Sequence, residues 1–441
     1  MSPEMDGMNQ RRRDRQQRQD ERRRQEKKER TRILIALAVL AVFAIVVIAV
    51  SLGGRPEQPD TTDPSGATNP SDTVLQTDSA EQTTLPNQST QGSTEPTGGF
   101  EPTTVIHFAA AGDLNITDNV VAAGGQAYSY LNTFVDVLPL LSSADLTALN
   151  FEGNVCGAPY GADSAPQSLL TALKDAGVDM LQLANSKAIN RGVAGLNSTV
   201  QNVRAAGMAS VGAVAEGETP GAYVIRYIDG VKVAVVAFTK GMDGMAMPAG
   251  SDDLVNLLYT DYASTYKKVN TKAITKLLRK VADEEPDITI ALLHWGSEYS
   301  DIHSDTQMEI KNLMFKEGVD AIIGSHPHYV QEIEYDKSTG RLVAYSLGDF
   351  FGDATRSGTA YSIVLDLEIT KDNTSGMTKI TDFSYTPIYT VQDDTGLLRV
   401  LRLREAIEAY EAGRIGRVTK ETYENMKYGL ERIEVRVQPK E

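Results

Sequence analysis

Cysteine occurs once in the 441 residues, at Cys156, so no disulfide can form within the chain and a folded domain must rest on core packing. Histidine is almost as scarce, with five residues, which makes the position of each one informative. Basic charge is short everywhere but at the start. Residues 1–32 hold twelve Lys or Arg against seven Asp or Glu, and the remainder holds 31 basic against 52 acidic, a formal charge of −21. That balance excludes nucleic acid as an expected partner. Large apolar side chains are nearly missing between Gly53 and Thr103, where QPDTTDPSGATNPSDT and TTLPNQSTQGSTEPTGG are typical. Such a stretch cannot bury enough surface to fold, so residues 53–103 are expected as a disordered linker, either a stalk or a plain spacer.

Charge is also absent from the twenty residues Ile33 to Leu52, ILIALAVLAVFAIVVIAVSL. At 1.5 Å per residue they match a hydrocarbon slab of roughly 30 Å. A cleaved signal peptide would have an apolar region of about 7–15 residues and a shorter charged segment before it. A buried core helix would need foldable sequence beside it and an apolar stripe rather than an apolar circumference. The expectation is therefore one transmembrane helix, residues 33–52. Lys27, Lys28, Arg30 and Arg32 abut it, which places the basic tail, residues 1–32, in the cytoplasm. The main domain is then extracellular on a single-pass anchor, at a bacterial cell surface.

From Thr104 the pattern turns to short apolar β-rich runs alternating with amphipathic stretches, for example TKAITKLLRKVADEE before ITIALLHW, which predicts an α/β domain. Six runs, VIHFAAAGD, LTALNFEG, MLQLANSK, ITIALLHWGSE, VDAIIGSHPH and RLVAYSLGDF, pass from an apolar strand to a small residue and then a polar or chelating one. In open α/β sheets ligands bind beyond the carboxyl ends of strands, so these ends are expected to share a site. Three of the five histidines, His294, His326 and His328, lie at two of these ends, and Asp113 and Glu152 end two others. A single buried His is more often a hydrogen-bonded core residue than a ligand, but a cluster reverses the odds. Carboxylates with imidazoles suit Mn, Fe or Zn better than Ca or Mg, which prefer oxygen alone. His107, inside a strand, reads as a packing residue, and His303 as rim or solvent-facing. After Gln392, apolar residues at three- and four-residue spacing predict two packing helices, a C-terminal helical extension over residues 393–441.

These residues resemble the bacterial CapA family, the capsule and poly-γ-glutamate synthesis proteins, relatives of the calcineurin-like metallophosphoesterases. The likeness runs from about Val105 to Thr390 and rests on Gly112-Asp113, Asn150-Phe151-Glu152, His294-Trp295-Gly296-Ser297-Glu298-Tyr299, Gly324-Ser325-His326-Pro327-His328 and Tyr345-Ser346-Leu347-Gly348-Asp349-Phe350. The resemblance implies a four-layer αββα sandwich, preceded by the transmembrane helix and linker, over residues 104–392. It also implies metal ligands Asp113, Glu152, His294, His326 and His328, with His294 and Lys187 as candidate catalytic residues. The chain departs from the family at Ala184-Asn185-Ser186-Lys187, where the family has Ala-Asn-Asn-His, and at Asp349, where Asn is usual. Serine is a weaker ligand than an amide carbonyl, and the Lys187 ammonium is expected either to pair with Asp113 or Glu152, leaving one ion or none, or to snorkel out of the loop to solvent. Asp349 reads as a turn cap rather than a ligand.

Three functions follow from the resemblance. The first is a part in capsule or poly-γ-glutamate biosynthesis or export, with a degenerate phosphoesterase-type site. The second is an active metal-dependent hydrolase of phosphoester or related bonds. The third is a non-catalytic scaffold or binding module. The implied partners are polyglutamate or another envelope polymer and membrane synthase or export subunits. A charge of −21 repels polyglutamate, so polymer contact must use a local basic patch or a bound metal.

Overall fold

The structure, a computed structural model, describes residues 101–392, 397–415 and 418–438. The expected cytoplasmic tail, transmembrane helix and nearly all of the linker lie outside the described residues. Among the described residues, no helix is long and apolar enough to cross a membrane. In chain order, the first half runs β1 (Thr103–Asn115), α1 (Asp118–Ala122), α2 (Leu138–Ser142), β2 (Leu146–Glu152), α3 (Gln167–Asp175), β3 (Met180–Gln182), α4 (Gly192–Ala205), β4 (Ala209–Val211), β5 (Tyr223–Ile228) and β6 (Val231–Thr239). The second runs α5 (Thr271–Ala282), β7 (Ile288–His294), α6 (Asp305–Lys316), β8 (Ala321–Ser325), β9 (Ile333–Asp336), β10 (Arg341–Ala344), β11 (Asp349–Phe351), β12 (Tyr361–Asp372), β13 (Thr378–Gln392), β14 (Leu398–Arg402), α7 (Leu403–Glu411) and α8 (Lys420–Val437).

The expected α/β class is present as two mixed sheets. One has the order β14-β13-β12-β1-β2-β3-β4, with β11 also paired to β1; the other has the order β5-β6-β7-β8-β10-β9. In the first, β1 to β4 run parallel while β12, β13 and β14 are antiparallel. Strands buried on both faces read as unbroken apolar runs, and β2 and β7 are buried at every position. Along β6 and β7 alternate residues serve different cores. Val233, Val235, Ile290 and Leu292 join Phe108 and Leu149 of the other sheet in the larger cluster. Val236, Phe238, Ala291 and Leu293 pack with Ile274 and Leu278 of α5 and Ile310 and Met314 of α6 in the smaller one. The period-two pleat thus puts one face of this sheet against its partner sheet and the other under helices. A capping box between Ser304 and Gln307 starts α6.

The C-terminal stretch differs from expectation. Leu398–Arg402 is not helix but an edge strand, antiparallel to β13 through pairs such as Thr390 with Val400. Leu398, Val400 and Leu401 are buried while Arg399 and Arg402 are half-buried, and the ladder with β13 wins over the three-and-four spacing. Two helices follow, α7 and α8, and α8 packs on β12 and β13.

Candidate metal centre

Parallel pairing carries the chemistry-bearing residues to one edge. Asp113 is in register with Asn150 and with Asp349, and His294 is in register with Ser325, the residue before His326. Gly112 allows the approach of β1 to the Gly348 segment, because a Cβ there would lie 1.8 Å from Gly348 O. Gly324 does the same beneath His326, where a Cβ would meet Tyr345 O at 1.9 Å and Trp295 Nε1 at 2.5 Å. His326 and His328, either side of Pro327, have φ of 91° and 59°, in the left-handed region that non-glycine residues seldom adopt. The His326 N–H holds that turn by donating to Asp113 Oδ2 at 3.0 Å.

Asp113, Glu152, His294, His326, His328 and Asp349 are all buried, none more than 6% exposed. Asn150 Nδ2 bridges the first two carboxylates, at 2.6 Å from Asp113 Oδ1 and 3.0 Å from Glu152 Oε1, and Asn185 Nδ2 donates to Asn150 Oδ1 at 3.1 Å. His328 Nδ1 lies 2.6 Å from Asp349 Oδ1 and 3.7 Å from Asp113 Oδ2. Burial first, and then the neighbouring Glu152, raise the Asp113 carboxyl to about 7. Burial likewise raises Glu152 and Asp349. It lowers His294 to about 3 and His326 well below the ordinary value, so both rings are neutral. At His328 burial is outweighed by Asp349, Glu152 and Asp113, and the ring titrates well above the ordinary value. Three buried carboxylates therefore face a single imidazolium, an arrangement that calls for protons or a cation.

The donor set fits a divalent ion. The Thr239 hydroxyl donates to Gly241 O at 2.9 Å, so its oxygen accepts from His294 Nδ1 at 3.2 Å. The Nε2 lone pair then faces Glu152 Oε1 at 2.8 Å, acceptor against acceptor, which needs a proton or a cation between them. Three groups bring ligand atoms within 4.8 Å of one another: Glu152, His294 and His326; Asp113, His328 and Asp349; and Glu298, His326 and His328. The edge opens into a cavity of about 500 Å³ lined by Thr117, Asp163, Lys187, Tyr299 and His328, and into a second of about 310 Å³ lined by Lys240, Asp243 and Tyr266. Both share Ser186 and Glu298.

All five expected ligands are brought together, but the expected role of Lys187 is corrected. Its ammonium pairs with Asp163 at 3.8 Å and Asp243 at 3.5 Å, on the cavity wall, and not with Asp113 or Glu152. Burial pulls this ammonium down, and Asp163, Asp243 and Glu152 more than offset it. Ser186 Oγ donates to Glu152 Oε2 at 3.3 Å. Asp349 is no turn cap; it holds His328 and belongs to a ligand group. Lys240, at the end of β6, was missed; its Nζ donates to Gly296 O at 2.8 Å and lies 3.2 Å from His326 Nε2, and burial lowers its pKa. The signal was there, since VKVAVVAFTK is a seventh apolar run ending in a polar residue. His107 is not core packing but a half-exposed partner of Asp366 at 2.9 Å. His303 is half-buried, stacked on Tyr345 with ring centroids 4.1 Å apart and 3.7 Å from Glu332.

A model of the family described as bacterial capsule synthesis protein PGA_cap matches residues 107–354, which include all of the ligands above. The chain is 28% identical over 254 residues to the capsule biosynthesis protein CapA of Bacillus anthracis, covering 55% of this chain and 59% of that one. It is 26% identical over 265 residues to the PGA biosynthesis protein CapA of Bacillus subtilis (strain 168), covering 58% and 64%. The chain thus spans less than two thirds of the length of these relatives. Among solved structures, it is similar to the calcineurin-like phosphoesterase YfkN from Bacillus subtilis, with 16% identity, a TM-score of 0.39, and coverage of 74% and 100% of the two chains. A hypothetical protein from Thermus thermophilus gives 15%, 0.38, 64% and 98%.

Proposed function

Since this chain belongs to the bacterial capsule synthesis protein family PGA_cap, we propose that it acts in the biosynthesis or export of an anionic envelope polymer of the poly-γ-glutamate kind, through a divalent-cation centre. The observation that carries this reading is the convergence of Asp113, Glu152 and Asp349 with His294, His326 and His328 at one buried edge. Asp113, Glu152, His294, His326, His328 and Asp349 are the residues from which such an ion would draw its ligands. When bound, such an ion polarises a carboxylate or phosphoester oxygen and lowers the pKa of a water. Asn150 fixes the two carboxylates, and Asp349 orients His328. The charge beyond residue 32 repels a polyanion, so contact falls to cations at the mouth: Lys187, Lys240, and Arg356, whose guanidinium lies 3.4 Å over the Tyr299 ring.

The remaining elements of the reading are an anchor at residues 33–52, a stalk over 53–103 and a domain on the outer face, where membrane synthase or export subunits release polymer. Two mixed sheets with helices against them support a four-layer sandwich. The experiment replaces the chromosomal copy by Asp113→Asn with His328→Gln and measures surface polymer at equal protein level. Loss of polymer is expected, and undiminished polymer contradicts the reading. Protease added to intact cells should digest the domain and spare residues 1–32.

The donor set also favours a second reading, a metal-dependent hydrolase of phosphoester bonds. Purified protein with Mn²⁺ would then turn over bis(p-nitrophenyl) phosphate and lose this with His294→Gln. No turnover by the unaltered protein favours a non-catalytic module.

A further inference from the structure

His326 is the one site imidazole that, among the described residues, a lysine of the chain bonds directly. Lys240 is held from several sides: its backbone N–H donates to His294 O at 2.8 Å, its Nζ donates to Gly296 O at 2.8 Å, and Nζ lies 4.6 Å from the centre of the Tyr266 ring. The fourth contact is His326 Nε2 at 3.2 Å. An ammonium has only protons to offer, so Nε2 must be the acceptor, and a ring that accepts there carries its one proton on Nδ1. That Nδ1 is buried with no hydrogen-bond partner. A ring in this state has no lone pair left for a metal on either nitrogen.

We infer that Lys240 is a built-in cation of the Glu152, His294 and His326 group, so that the protein holds one divalent ion, at Asp113, His328 and Asp349, where the two groups that share no residue would otherwise take one each. The inference deepens the cation-centre reading and rests on it. Ser186 agrees, since its hydroxyl donates to Glu152 instead of offering the group a carbonyl oxygen. Lys187 does not compete for the role, being paired with Asp163 and Asp243. Among the described residues, no Lys or Arg side chain bonds to Asp113, His328 or Asp349, so that group keeps no fixed cation once an arriving ion displaces the His328 proton.

The test uses the full chain in detergent, stripped by chelator, dialysed against Mn²⁺ at neutral pH and analysed for metal per chain. One Mn²⁺ is expected for the unaltered protein and for Lys240→Arg, and two for Lys240→Met. Affinity for the second ion should rise at least about 100-fold, because like charges a few ångströms apart in a partly buried site repel strongly. Two ions in the unaltered protein, or one in Lys240→Met, overturns the inference and leaves the cation centre standing. No ion in any form overturns the cation centre itself. Imidazole ¹⁵N shifts of the metal-free protein give an independent check. His326 should be protonated at Nδ1 in the unaltered protein and change tautomer in Lys240→Met; the same tautomer in both forms overturns the inference.

Discussion

Neutralising Asp113 should stabilise the metal-free protein while abolishing its response to metal. The carboxyl titrates at about 7 when folded against an ordinary value of 3.8. A group whose folded value is raised keeps its proton in the folded state after the unfolded chain has released its own. The penalty is therefore absent below about pH 4, grows between the two values, and is complete above about pH 7. At about 1.4 kcal/mol per pH unit it reaches roughly 4 kcal/mol. Asp113→Asn removes it, but the new amide must set its NH₂ against either Asn150 Nδ2 or the His326 N–H, both of which now donate to the carboxylate. Leaving one of those donors unmet costs about 1–3 kcal/mol, so a net gain on the order of 2 kcal/mol remains. At about 2 °C per kcal/mol for a large domain, Tm in EDTA at pH 8 should rise by about 4 °C. The unaltered protein should instead gain about 2.7 kcal/mol from Mn²⁺ at a hundred times its Kd, and the variant almost nothing. A variant that melts below the unaltered protein in EDTA would refute the reasoning, because Asp113 would then be satisfied without a cation.

Gly324→Ala should cost about 3 kcal/mol or more in denaturant unfolding, since the added Cβ collides with the Tyr345 carbonyl and with Trp295. Its hydrogen bond to Asp366 raises the pKa of His107, so that pair's stabilisation is full below about 6.5 and is lost as pH rises through the folded value. An NMR titration of Asp366→Asn should move His107 down toward its ordinary value, and an unchanged titration would show that the pair is not the cause. Lys187→Met should change Mn²⁺ affinity by less than about threefold, because its partners stand on the cavity wall. A larger change would restore the expected pairing with Asp113 or Glu152.

The strand ends were legible because a parallel strand buried on both faces leaves a long apolar run, and the polar residue that breaks it marks the edge. Asp113, Glu152, His294, His326 and His328 were found in this way. What the sequence could not convey was which charges meet across the edge. Lys187 is adjacent in the chain to Ser186, which reaches Glu152, yet its long stem carries the ammonium to Asp163 and Asp243 instead. Lys240 and His326 are 86 residues apart, and only the pairing of β6, β7 and β8 brings them together. Asp349 follows the same strand-end pattern, but a lone carboxylate before a turn reads equally as a cap; the parallel pairing of β1 with β11 is what places it beside Asp113. At β14 the five residues Leu398–Arg402 run straight into the helical spacing that begins at Leu403, and only the ladder with β13 separates strand from helix.

The central claim is that these six buried side chains form a cation centre, and a crystal of the protein grown with Mn²⁺ tests it most directly through anomalous scattering. The account predicts one strong peak within coordination distance of Asp113, His328 and Asp349, with Lys240 still on His326. Full Mn²⁺ occupancy elsewhere, or no peak at this edge at saturating Mn²⁺, would contradict it.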